Sequence, residues 1–195
     1  MKIFCIVGRS SSGKDTICGR VKEEFGSSLK PIVTWTTREK RKDEVDGVVY
    51  HFSNDSLFQK QLSEGKVVEY RVYKNIQGTV LTYYTLASNF DSNGNYLAVT
   101  SLSQVNKYAD YFGCKNVYPI VIELEDRVLL NRALDRCEKT GESYKEVCRR
   151  YISDSNEWEK VKFNEDLSLF RVYNDDLDVC CSKVFAYIKE VMNRG

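Results

Sequence analysis

Near the start of the chain, Gly8-Arg9-Ser10-Ser11-Ser12-Gly13-Lys14-Asp15-Thr16 combine the residue types and spacing needed to hold phosphate. A glycine at each end lets a compact loop turn its backbone N–H groups inward. Those groups, with the positive N-terminus of a following helix, can cradle phosphate oxygens. Lys14 adds a mobile point charge suited to the β- and γ-phosphates of a nucleotide. Asp15 stands where a Mg²⁺-binding Ser or Thr is expected, and Thr16 comes one residue later. Either oxygen could hold a hydrated Mg²⁺, through water. The bland alternative is a glycine-rich turn with no ligand. An apolar strand before the loop, a helix after it and the lysine together argue against that alternative.

A second cluster runs from Thr34 to Phe52 and carries Arg38, Arg41 and, after an Asp46-Gly47 turn, Tyr50. Two guanidiniums and a phenol can recognise a compact dianion such as a monophosphate. A lone R-x-x-R is more often a solvated basic hairpin. The single histidine, His51, adjoins this cluster and is read as a strand residue, because phosphoryl transfer to an ionised phosphate scarcely needs a base. No Ser/His/Asp or Cys/His grouping and no zinc-type spacing is present. Trp35 and Trp158 are read as packing residues. Most tyrosines of 70–84 are read as structural, since they alternate as one sheet face does.

These groups need a frame. Residues 3–7 form a short β-branched run, predicting a buried strand before the loop, and a helix is expected over 14–25, ended by Gly26. Ile32-Val33 suggests a second strand and Val48–Phe52 another. Ser53 or Asn54 can cap a helix reaching Gly65. Val67–Tyr73 and Thr79–Tyr84 are rich in Val, Tyr and Thr and read as strands. Residues 34–85 therefore form an α+β insert. Beyond it, strands at 96–100, Val117–Leu124 and Leu169–Tyr173 alternate with helices at 101–112, within 126–160 (two, joined at Thr140-Gly141) and at 176–192. Such alternation predicts an α/β fold with a parallel sheet covered by helices on both faces.

Composition narrows the function. Twenty-nine basic residues against 28 acidic give a net charge of +1, which argues against a broad nucleic-acid binder. No stretch approaches a membrane span, and the apolar start is too short for a signal peptide. Seven cysteines without a C-x-x-C pair fit a reduced, cytoplasmic setting. Adjacent Cys180 and Cys181 are read as small buried helix residues.

The string T-T-R-x-x-R-x-x-E-x-D-G-x-x-Y-x-F, spanning Thr36 to Phe52, closely resembles the guanylate kinase family. So does Asn174-Asp175-Asp176-Leu177-Asp178 before the last helix. With the loop at 8–16 and the arginine-bearing segment 126–160, the resemblance covers nearly the whole chain. It implies a P-loop NTPase-type α/β domain: a core of about 1–33, 86–125 and 165–195, a monophosphate-binding insert of 34–85, and a lid of 126–164. It implies transfer of the ATP γ-phosphoryl group to GMP or dGMP with Mg²⁺. By position, Gly8 to Thr16 with Arg132 and Asn174 would bind ATP, the last two near its base. Lys14, Arg136 and Arg150 would serve the transferring phosphate. Arg38, Arg41 and Tyr50 would hold the acceptor phosphate, Thr34 and Glu69 would face guanine, and a tyrosine of Tyr83-Tyr84, preferentially Tyr84, would add a phosphate contact.

Four departures accompany the resemblance. Asp15 replaces the usual hydroxyl, Leu81-Thr82-Tyr83-Tyr84-Thr85 lacks a glycine after its tyrosine, the stretch between Glu69 and that tyrosine is several residues longer than usual, and Val99-Thr100-Ser101 lacks an expected acidic strand end. A same-fold kinase for another (deoxy)nucleotide or a ribose phosphate, and a non-catalytic binding module, therefore stay open.

Overall fold

The computed structural model describes residues 1–41, 44–48, 50–74, 79–141 and 143–194. Its elements run β1 (Lys2–Val7), α1 (Lys14–Phe25), β2 (Lys30–Pro31), β3 (Trp35–Thr36), β4 (His51–Phe52), α2 (Asp55–Ser63), β5 (Val67–Lys74) and β6 (Val80–Leu86). They continue with β7 (Asn95–Thr100), α3 (Leu102–Phe112), β8 (Val117–Glu123), α4 (Asp126–Thr140), α5 (Tyr144–Lys160), β9 (Phe170–Tyr173) and α6 (Leu177–Asn193). The chain divides into two compact units. One is essentially Pro31–Gly94; the other joins Lys2–Lys30 to Asn95–Gly195.

The larger unit is built on a sheet of order β2-β7-β1-β8-β9, in which β7, β1, β8 and β9 pair in parallel. Parallel strands need helical crossovers, and those crossovers cover the sheet. Phe4 and Ile6 of β1 pack with Ile17 and Val21 of α1 and Val184 and Ile188 of α6. Ile3, Cys5 and Val7, on the other side of the same strand, are equally buried. A strand apolar on both faces can only be central, which is why residues 3–7 show no polar alternation.

The smaller unit holds a mixed sheet of order β4-β3-β6-β5. β3 pairs parallel with β4 and antiparallel with β6, and β5 and β6 form an antiparallel hairpin. One face carries Trp35, Val67, Tyr84 and Leu86, packed with Phe58 and Leu62 of α2.

Helices fall close to where their caps predict. The Asn54 side chain accepts from the Leu57 N–H, and Gly26 and Gly113 end α1 and α3. The short strands differ. The second strand is Lys30–Pro31, not Ile32-Val33, because pairing beside β7 decides it and a two-residue apolar run carries no periodicity. Of the strand expected over Val48–Phe52, His51–Phe52 is a strand and Tyr50 forms an isolated bridge with Asp46. Gly47 turns the chain at φ 77°, and Asp46 accepts the Phe52 N–H at 2.8 Å; Val49 lies outside the described residues. Among the described residues, no helix is long and apolar enough to cross a membrane.

Candidate active site

The loop between β1 and α1 owes its shape to two left-handed residues. Ser11 has φ 66° and Gly13 φ 88°. Gly13 is required twice over, since a Cβ there would also lie 2.4 Å from Asn174 Nδ2. A Cβ at Gly8 would meet Ser12 Oγ at 2.5 Å and the Ile122 carbonyl at 3.0 Å. Ser12 is buried, its N–H donating to the Arg9 carbonyl at 3.1 Å. Lys14 opens α1, with Asp15 and Thr16 exposed beside it in the first turn. A loop with inward-turned backbone that ends on a helix N-terminus is the arrangement that phosphate binding requires.

Asn174 is expected near the nucleotide base. The structure places it, 2% exposed, behind the loop: its Nδ2 donates to the Ser12 carbonyl at 2.7 Å, and its own N–H donates to the Glu123 carbonyl. Arg132 of α4 donates to the Asn174 carbonyl at 3.0 Å, so these two expected base-side residues do lie together. Beside them, a cavity of about 340 Å³ is lined by Arg9, Ser12, Leu124, Glu125, Trp158 and Tyr173, among others. Trp158, read from sequence as a packing residue, is thus part of a cavity wall next to the loop.

Helices α4 and α5 close over the loop through acidic side chains. Arg9 is paired with Asp126, whose carboxyl is held below the usual range chiefly by Arg9 and secondarily by Tyr151. The Asp154 carboxylate accepts the N–H of Ser10. Arg136 and Arg150 line the same narrow cleft as Ser10 and Asp154. The structure therefore brings both lid arginines to the loop. Asp154 has no sequence signal, because it depends on how α5 sits over β1. At the end of β7, Thr100 pairs in register with Val7 just before the loop. A buried hydroxyl borders the loop where a carboxylate is expected; beside it burial pushes the Cys5 thiol up to about 12.

The smaller unit gathers the second constellation on one sheet face. Pairing of Val67 with Leu86 steps to Glu69 with Thr85, a bulge in β5. Without that step Glu69 would fall opposite Tyr84, on the apolar face. The bulge re-aims it to the other side. There it is 2% exposed, accepting from Thr85 Oγ1 at 2.9 Å. Arg71, opposite Tyr83, lies on the same face, its Nε 3.7 Å from Glu69 Oε2. Tyr83 stacks edge-on against Tyr50 and Tyr73, with ring centroids 5.6 Å apart in each pair. Arg38 sits 5.6 Å over both Tyr50 and Phe52 and donates to Glu44 at 2.7 Å. Glu44 also accepts the Arg41 N–H, and these bonds, Arg38 first, lower its pKa. Arg41 itself is exposed, and Thr34 is half-buried just before β3.

Tyr84 corrects the sequence expectation. It is fully buried, stacked near Trp35 and Phe58, and its hydroxyl lies 2.9 Å from both Ser53 Oγ and Gln61 Oε1, with one proton to share between them. Alternation along β6 puts Tyr84 into the apolar face and Tyr83 into the polar one. Tyr83 is the tyrosine that joins Arg38 and Tyr50. His51 stacks on Trp35 at 4.6 Å and belongs to the sheet's packing.

A family model described as Guanylate kinase matches residues 1–95. The guanylate kinase of Streptococcus pneumoniae (strain ATCC BAA-255 / R6) is 30% identical over 195 residues, covering 96% of this chain and 93% of that protein. Guanylate kinase 1 of Oryza sativa subsp. japonica is 39% identical over 79 residues, 40% of this chain and 21% of that protein. The crystal structure of guanylate kinase from Anaplasma phagocytophilum shares the fold at a TM-score of 0.64 and 17% identity, over 99% of this chain and 88% of that one. On the near-full-length match to the pneumococcal protein, the chain belongs to the guanylate kinase family.

Proposed function

We propose that the protein transfers the γ-phosphoryl group of ATP to GMP or dGMP, giving ADP and the corresponding diphosphate. The observation that carries this reading is Glu69, a buried carboxylate on the same sheet face as Arg38, Tyr50 and Tyr83. An ionised carboxylate only accepts hydrogen bonds. Guanine offers two adjacent donors, N1–H and the 2-amino group, whereas adenine offers an acceptor at N1. Arg38 and Arg41, with Tyr50 and Tyr83, then hold the acceptor's phosphate dianion. Residues 34–85 form the acceptor-binding part and 126–164 the lid.

The acceptor oxygen is ionised before it attacks, so catalysis is alignment plus neutralisation of charge. Loop amides and Lys14 bind the β- and γ-phosphates; Arg136 and Arg150, beside Ser10, neutralise charge on the group in flight. Arg132 and Asn174 flank the base side of ATP. Asp15 and Thr16 are exposed oxygen donors next to Lys14, and no cluster of three or more metal-ligating side chains occurs among the described residues. That donor set fits Mg²⁺, which keeps its waters and is held by one or two oxygens plus phosphates. When bound, the ion neutralises charge on the nucleotide's phosphates. Seven free thiols suit a cytoplasmic setting.

The test is ADP release in a coupled assay across acceptors. GMP and dGMP should be best, IMP weaker for want of the 2-amino group, and AMP and UMP poor. AMP or UMP matching GMP would overturn the guanine assignment and leave the kinase assignment standing. Lys14→Ala should lower kcat by about 10²–10³. A kcat within a few-fold of the parent would overturn the assignment of Lys14 and its loop to the nucleotide's phosphates. Turnover should vanish in excess EDTA, with Asp15→Ser tolerated and Asp15→Lys not. The two neighbouring tyrosines should separate cleanly: Tyr83→Phe raises the KM for GMP with little loss of stability, whereas Tyr84→Phe leaves KM alone and costs about 0.5–1.5 kcal/mol in denaturant unfolding. The reverse pattern would restore Tyr84 to the site.

A further inference from the structure

Glu69 has a neighbour that the phosphate-binding arginines do not explain. Arg71 stands two residues on in β5, on the same face, directly opposite Tyr83. Among the described residues its Nε is buried without a hydrogen-bond partner, and so is Glu69 Oε2, the two lying 3.7 Å apart. That separation is too long for a good hydrogen bond between them. It leaves one donor and one acceptor side by side, each with capacity to spare. Glu69 Oε1 is already engaged by Thr85, which fixes the carboxylate's orientation. About a third of the Arg71 side chain is still exposed, so the guanidinium can meet a ligand.

We propose that Arg71 is a specificity-determining residue that reads the O6 acceptor of the guanine base while Glu69 reads its N1–H and 2-amino donors. The inference rests on the guanine-acceptor reading above. Its chemistry is that of a purine edge with donor, donor and acceptor in a row. A carboxylate alone reads the donors only. A guanidinium beside it completes the match, and arginine is the residue whose fork of donors suits the O6/N7 side of guanine. The same pair opposes adenine at two atoms: the N1 acceptor faces the carboxylate, and the 6-amino donor faces the guanidinium. Wrong bases thereby leave buried charged groups unpaired, which is where discrimination of this kind becomes large.

The experiment compares kcat/KM for GMP, IMP and the 5′-monophosphate of 2-aminopurine riboside, which keeps the 2-amino group but lacks O6 and, like adenine, carries an acceptor at N1. It therefore starts as a weaker acceptor than GMP and is read only as the ratio of variant to parent. Arg71→Ala should lower the values for GMP and IMP alike, by about tenfold or more, the scale of one good base contact. The 2-aminopurine nucleotide should change by less than about twofold, because it has no O6 to lose. Arg71→Lys, which keeps the charge and the stem beside Glu69, should recover part of the loss and guards against an Arg71→Ala chain that fails to fold. Equal losses on all three acceptors would overturn the inference and assign Arg71 to the phosphate or to charge balance with Glu69. No loss on any acceptor would overturn it too. If the parent protein turns over ATP but ignores GMP, the guanine reading itself fails, and that outcome is visible before any variant is made.

Discussion

The hydrogen bond from the buried Asn174 amide to the Ser12 carbonyl, 2.7 Å long, holds the phosphate loop from behind. A loop of small residues has little side-chain packing to fix it, and its two left-handed residues must be held against competing turns. Asn174 does this from the end of β9, which pairs in parallel with β8. Its approach is so close that only glycine fits at position 13. The Asn174 carbonyl in turn receives Arg132 and thereby locates α4. One buried amide thus ties the loop, the edge of the sheet and the first lid helix into a single arrangement. Parallel strands matter here because their C-terminal ends, carrying Val7, Glu123 and Tyr173, emerge at the same edge.

What the chain discloses in one dimension follows from this. The loop was legible, because its chemistry is local: strand, glycine spacing, lysine and helix occupy consecutive residues. Helices were legible through caps such as Asn54 and through glycines such as Gly26 and Gly113 that end them. The bulge that turns Glu69 away from Tyr84 was not. Register between β5 and β6 is set by pairing across the hairpin, and a single step exchanges the two faces. Tyr83 and Tyr84 are chemically identical and adjacent, so no pattern within 80–86 distinguishes the packing ring from the site ring. Asn174 was recognised as important from its motif, but its part as a brace for the loop depends on a contact across 162 positions. Asp154 and Trp158 depend likewise on the placement of α5.

The smaller unit shows how one thin sheet serves two masters. Its apolar face, with Trp35, Tyr84 and Leu86 against Phe58, provides its core. Its polar face buries Glu69, an ion that would be expensive to desolvate alone. The hydrogen bond from Thr85 offsets part of that cost. Truncating Thr85 therefore does more than delete a contact, since it leaves a buried carboxylate oxygen without its donor.

Near-neutral overall charge is compatible with a site for polyanions because charge is assigned locally. Several exposed pairs, such as Lys189 with Glu24 and Arg149 with Glu146, contribute little and are screened by salt. Arg38 with Glu44 is different. Both side chains are largely covered, at 13% and 16% exposure, and Arg38 is additionally confined over Tyr50 and Phe52. A guanidinium presents five N–H donors in a rigid fork. It can keep its bond to Glu44 and still have donors left for an anion, with its orientation already fixed. A lysine at the same position would have one flexible ammonium to divide between the carboxylate and the ligand. Glu44 and the two rings thus fix the direction of the Arg38 guanidinium in the protein itself, an orientation that a lysine ammonium could not reproduce.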